Sequence, residues 1–93
     1  MKKHPVIIEG YDGTFEELGR KVGELRYDKL AEFLLHLENE LARQAIADKK
    51  RGRPKLANLI EGVELTVKDG KIKTERLFEF CKAFMQEELN NDK

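Results

Sequence analysis

The sequence has 93 residues, which is the length of one small domain. Its 18 basic and 18 acidic residues give a formal net charge of zero, and 40% of the residues are hydrophobic. These proportions predict a folded, soluble domain and argue against a disordered tail. A chain of this length buries only about 60–65% of its unfolded surface, and its one cysteine cannot form an internal disulfide. A second copy of the chain would bury more apolar surface, so we expect a homodimer.

The start of the chain shows no secretory signal and no membrane span. Its apolar run is limited to Val6-Ile7-Ile8, whereas a signal peptide needs about 7–15 apolar residues and a membrane helix about 20. We therefore expect a cytoplasmic protein with no membrane partner. The single cysteine, Cys81, agrees with a reducing compartment.

The chain reads as a single helical domain over residues 1–93, with an extended entry over residues 1–13. Residues 6–8 are β-branched and could form a short edge strand. Thr14 and Glu17 then have the spacing of a capping box, which predicts the start of a first helix. We expect this helix to break near residues 23–26, where a glycine weakens it.

A long helix is predicted from about Tyr27 to Arg51. Its leucines recur every three or four residues and form one continuous apolar surface. We call this surface the leucine stripe: Leu30, Phe33, Leu34, Leu37 and Leu41. A second apolar strip lies beside it: Ala31, Leu35, Ala42 and Ile46. An apolar surface this broad requires more than one partner helix, which favours the core of the domain or a homodimer interface over recognition of a foreign protein.

Two structures compete for the residues that follow. The apolar residues between Leu56 and Val67 suit a helix, and a last helix would begin at Thr74, a good N-cap, and fray over residues 90–93. Alternatively, residues 63–73 alternate around a turn-like Lys-Asp-Gly-Lys sequence and could form a short hairpin. Helix is the favoured interpretation.

Five cations lie within seven residues between the two halves of the chain. We call them the basic segment: Lys49, Lys50, Arg51, Arg53 and Lys55. The rest of the chain then has 13 basic against 18 acidic residues, a net charge of −5. The Arg-Gly-Arg-Pro core of this segment resembles the AT-hook. The resemblance implies two arginines in the minor groove of A·T-rich DNA and the lysines on its phosphates.

The same residues also fit a connection between two helices. Cations in the last turn of a helix complement its dipole, Gly52 is the expected left-handed residue after the end, and Pro54 suits the first turn of the next helix. Arg53 and Lys55 are the only residues of the segment to which this interpretation assigns no structural role. A helix connector, or a patch that docks on an acidic protein surface, is favoured over contact with DNA.

Catalytic chemistry is poorly represented in the sequence. There is no serine, and Cys81 lies among phenylalanines, where a buried inert thiol is expected. The pair Glu61-x-x-Glu64 is like that of helical magnesium hydrolases but lacks their second carboxylate motif. We predict no enzyme activity, no cofactor and no metal.

These observations predict an all-α protein, a small bundle of three to four helices around one long central helix. The expected function is that of a non-enzymatic interaction or regulatory protein that dimerises through the long helix and binds a protein partner of unknown identity. The alternative is a DNA-associated accessory protein that uses the basic segment.

Overall fold

The computed structural model describes residues 4–84, and all the regular secondary structure in this range is helical. Within this range there are three helices: α1 (Phe15–Gly23), α2 (Tyr27–Lys50) and α3 (Pro54–Cys81). The predicted all-α class is confirmed. No strand forms at residues 6–8, and residues 63–73 are helical rather than a hairpin. The fraying predicted for residues 90–93 lies outside the described range.

The short helix α1 begins with the predicted capping box. The Glu17 backbone N–H donates to the Thr14 hydroxyl at 3.1 Å, and the Thr14 backbone N–H donates to the Glu17 carboxylate, also at 3.1 Å. The helix ends at Gly23, and α2 begins four residues later. The predicted break between the two helices is therefore confirmed.

Helix α2 begins with a charge pair in place of a short capping side chain. Arg26 donates from Nε and Nη2 to the two carboxylate oxygens of Asp28, at 2.7 and 3.0 Å. This pair lowers the pKa of Asp28, chiefly through the hydrogen bonds from the guanidinium. Asp28 also lies in the first turn of α2, where a negative charge complements the helix dipole.

Helix α3 is one continuous helix of 28 residues, and the separate last helix predicted to start at Thr74 is wrong. Thr74 does not cap a helix, because its hydroxyl donates to the carbonyl of Gly70 one turn earlier, at 2.7 Å. The pair Lys73–Asp69, at 3.0 Å, adds a favourable contact at helical spacing. The turn-like residues thus form an internal stretch of helix, and α3 is longer than the 24-residue α2.

Helices α2 and α3 form an antiparallel hairpin, and α1 makes at most a few contacts with either. The contact line, which we call the seam, repeats every three or four residues on both helices, as in coiled coils. On α2 it includes Ala31, Leu34, Glu38, Leu41, Ala45 and Asp48, and on α3 Ala57, Ile60, Glu64, Val67, Lys71 and Phe78.

The seam is narrow. Among the described residues, the buried hydrophobic side chains are Ala31, Ala45 and Ala57, and no large side chain is fully buried. Among the helices that the structure describes, only α2 and α3 pack extensively against each other, so a bundle of three to four helices is not confirmed.

Candidate functional site

The basic segment lies at the closed end of the hairpin, where α2 ends and α3 begins. Gly52 has a φ of +78°, in the left-handed region. The Arg53 N–H donates to the Asp48 carbonyl at 2.9 Å and the Gly52 N–H to the Lys49 carbonyl at 3.1 Å. These two bonds form a Schellman motif, and Pro54 follows as the first residue of α3. The predicted helix connector is present in the described structure.

Both arginines of the connector face one buried carboxylate, that of Asp48. Arg53 Nη1 lies 3.3 Å from Asp48 Oδ1 and donates a hydrogen bond to it, and Arg51 Nη1 lies 3.5 Å from the same oxygen. The ion pair with Asp48 gives Arg53 a structural role in the connector that the sequence alone did not indicate. The sequence contains a signal for this contact, because Asp48 precedes Arg51 by three residues and Arg53 by five. These side chains meet only because the chain reverses direction at Gly52.

The three lysines of the basic segment, Lys49, Lys50 and Lys55, are exposed. Their surroundings differ from those of an AT-hook, because residues 51–53 form a tight turn rather than an extended chain. Insertion of Arg51 and Arg53 into a minor groove would require both to leave Asp48.

The leucine stripe is divided between two environments. Leu34 and Leu41 lie on the seam and are half-buried, as is Leu30 beside it. Phe33 and Leu37 lie on one flank, where 44% and 38% of their surface is exposed. The stripe therefore supplies part of the contact with α3 and part of an open surface.

Helix α3 adds exposed apolar side chains to that same open surface. Successive residues of a helix are about 100° apart around its axis. Because α2 and α3 are antiparallel and their seams face each other, this spacing places Leu59, Val63 and Leu77 on the same side of the hairpin as Phe33 and Leu37. The three are 72%, 55% and 40% exposed. We call these five residues the apolar face. Sequence reasoning missed its α3 half, although 59, 63 and 77 are separated by nearly whole numbers of helical turns.

The opposite side of the hairpin, which we call the charged face, has a different composition. A shallow groove there is lined by five ionisable and three apolar residues: Asp28, Glu32, Lys71, Glu75 and Glu79 with Ala31, Leu35 and Phe78. Lys71 and Glu75 form an ion pair at 3.8 Å. This surface can remain in water without loss, because its charges are solvated and partly paired.

Two carboxylates meet across the middle of the seam. Glu64 of α3 is buried and faces Glu38 of α2. The hydrogen bond with Glu38, the burial and the negative charge of Glu38 together raise the pKa of Glu64, against a smaller opposing effect of Lys68. Glu61, the other member of the predicted Glu-x-x-Glu pair, is exposed. Within residues 4–84, no three His, Cys, Asp or Glu side chains cluster as metal ligands would.

Comparisons with protein-family models, with curated proteins and with solved structures found no match for this chain. In the described part of the chain, no helix combines the length and the apolar character needed to cross a membrane.

Proposed function

We propose that the protein is a non-enzymatic interaction module that works by self-association, with the leucine stripe of α2 in the contact. The observation that carries this proposal is the small amount of apolar burial within one chain. The hairpin buries three alanines and leaves large apolar side chains of the stripe partly exposed.

The energetic reason for association follows from the hydrophobic effect. Each square ångström of apolar surface removed from water contributes about 25 cal/mol. In the part of the chain that the structure describes, no third helix packs extensively along the flank of the seam. Phe33 and Leu37 lie on this flank. A second surface packed against them would supply the burial that a single chain lacks.

Sedimentation velocity of the wild-type protein over a range of concentrations tests the proposal. We expect a species with twice the 10.8 kDa mass of one chain, in equilibrium with monomer at the lowest concentrations. A monomer at every concentration would contradict self-association.

Contact with DNA is the second candidate, and the exposed lysines at positions 49, 50 and 55 favour it. Fluorescence anisotropy with an A·T-rich duplex and a G·C-rich control separates the two functions. An interaction module should bind both duplexes equally, through phosphates alone, and lose them near physiological salt. An A·T preference that disappears in Arg51→Ala/Arg53→Ala would establish the DNA-associated function instead.

A further inference from the structure

We infer that the apolar face is the interface of a homodimer, in which a second copy of this chain packs its own hairpin against the first. Helix α3 then supplies as much of the contact as α2, and the product is a four-helix bundle. The inference rests on the proposed self-association and specifies its surface and its partner.

The two faces of the hairpin differ in their charged residues. Beside the five residues of the apolar face, helical spacing places Leu30, Gln44, Leu56 and Gly70 on the same side of the hairpin, and none of them is charged. The charged face also exposes Leu35, Ile46 and Leu65, but there they alternate with ionisable side chains. Depletion of charge at the centre of a surface is the feature that distinguishes interface cores from ordinary protein surface.

The chain also leaves more surface exposed than a compact monomer of its mass. Its accessible surface is 7720 Å², whereas a compact monomer of 10.8 kDa exposes about 5,500 Å². A stable interface buries about 800 Å² on each partner. One dimer contact would therefore cover part of this excess.

The width and length of the apolar face indicate which partner fits it. The apolar face is two helices wide, so a single foreign helix lying along it would cover only part of its width. Helix α1 is too short to cover it, since its nine residues span about 14 Å and the 28 residues of α3 span about 42 Å. A second hairpin has the required width and length.

A second copy is also compatible with the charge and symmetry of the chain. The formal net charge is zero, so two copies do not repel each other at long range. The same face on both chains can form a closed two-fold interface. The three-and-four spacing of the seam is the spacing that packs helices into four-helix bundles.

The hairpin offers closely matched residues to test this assignment. On α2, Leu37 and Leu35 are 38% and 37% exposed but point to opposite faces. On α3, Val63 and Leu65 are 55% and 52% exposed and lie on different sides of the helix. We would introduce glutamate at each position and measure the dimer dissociation constant by sedimentation equilibrium. We expect Leu37→Glu and Val63→Glu to raise it at least about tenfold, by analogy with central interface residues. Leu35→Glu and Leu65→Glu should leave it within about twofold.

The outcomes separate this inference from the proposed function. If the wild type is a dimer and the position 35 and 65 variants dissociate it, the interface is elsewhere and only the inference fails. Dissociation by Leu37→Glu with no effect of Val63→Glu would also overturn it, because α3 would not take part. A monomeric wild type would overturn both. If a glutamate variant loses helical circular dichroism, Val63→Thr and the control Leu65→Asn repeat the α3 comparison, since each keeps the branching of the residue that it replaces.

Discussion

The two faces of the hairpin are built on the same pair of helices and differ in what lies beside the seam. On one side, large apolar residues from α2 and α3 are exposed, Leu59 most of all. On the other side, Leu35, Ile46 and Leu65 are also exposed, and the groove beside Leu35 is lined by five ionisable side chains. Exposed apolar residues interspersed with charges are normal on any protein surface, whereas a larger apolar surface free of charges indicates an interaction site.

The difference between the faces matters because the seam between them buries so little. Its buried residues are three alanines and two carboxylates. Alanines allow the helices to approach closely but contribute little apolar area, and a buried carboxylate stabilises only when it is paired. The seam therefore sets the geometry of the hairpin, and burial of the apolar face would contribute more free energy than the apolar area buried in the seam.

The largest expected effect comes from forcing the two helices apart, which would remove the geometry that both faces depend on. Ala57 is 4% exposed and lies where α3 approaches α2 beside the connector. We expect Ala57→Leu to lower the free energy of unfolding by about 1–3 kcal/mol, the usual cost of overpacking a tight contact. Urea denaturation followed by circular dichroism measures this.

Asn58→Leu is the matched control, because residue 58 is the exposed neighbour of Ala57 on α3. It adds a similar apolar side chain outside the seam and should change the free energy of unfolding by less than about 0.5 kcal/mol. Equal effects of the two variants would show that α2 and α3 do not pack closely at this level.

A smaller effect is expected from the carboxylates of the seam and depends on pH. The pKa of Glu64 is raised above the ordinary value of a glutamate, chiefly by the pairing with Glu38. Its contribution to stability is therefore complete below the unfolded pKa and is lost as pH rises through the folded pKa. We expect Glu64→Gln to abolish this loss, so that its melting temperature exceeds that of the wild type by a margin that grows from about pH 4.5 to pH 7.

Two acidic groups with lowered pKa values, Glu40 and Asp28, act in a lower pH range than Glu64. The pKa of Glu40 is lowered to about 2 by hydrogen bonds from Arg43 and Gln44, and that of Asp28 is lowered by Arg26. Their contributions are lost only as pH falls through the lowered values. A constant difference between wild type and Glu64→Gln across the range would contradict the cross-helix pairing with Glu38.

The parts of this structure that could be predicted from the sequence are governed by local chemistry. The capping box of Thr14 and Glu17, the span of α2 and the left-handed Gly52 followed by Pro54 each depend on residues within one or two turns. The continuity of α3 could not be predicted in the same way. Its turn-like residues around Gly70 form helix in the structure, where Thr74 bonds back to the Gly70 carbonyl and ion pairs form at helical spacing.

The candidate sites show the same limit. The cations of the basic segment were visible in the sequence, but the role of Asp48 as their shared acceptor depends on the reversal of the chain. The leucine stripe was visible, but its division into seam and open flank depends on where α3 lies. Residues that act in pairs across a hairpin become recognisable only when the register between the helices is known.

The smallest expected effect is the response of the dimer to salt, and it sharpens the comparison between the faces. Added salt screens contacts between charges and leaves apolar burial intact. If copies meet through the apolar face, the dissociation constant from sedimentation equilibrium should change less than about threefold between roughly 0.05 and 0.5 M NaCl. An interface through Glu75, Glu79 and Lys71 would instead depend on ion pairs, and its affinity would change steeply with salt. A tenfold or larger weakening would therefore assign the contact to the charged face, and an unchanged or slightly stronger dimer would assign it to Phe33, Leu37 and their partners on α3.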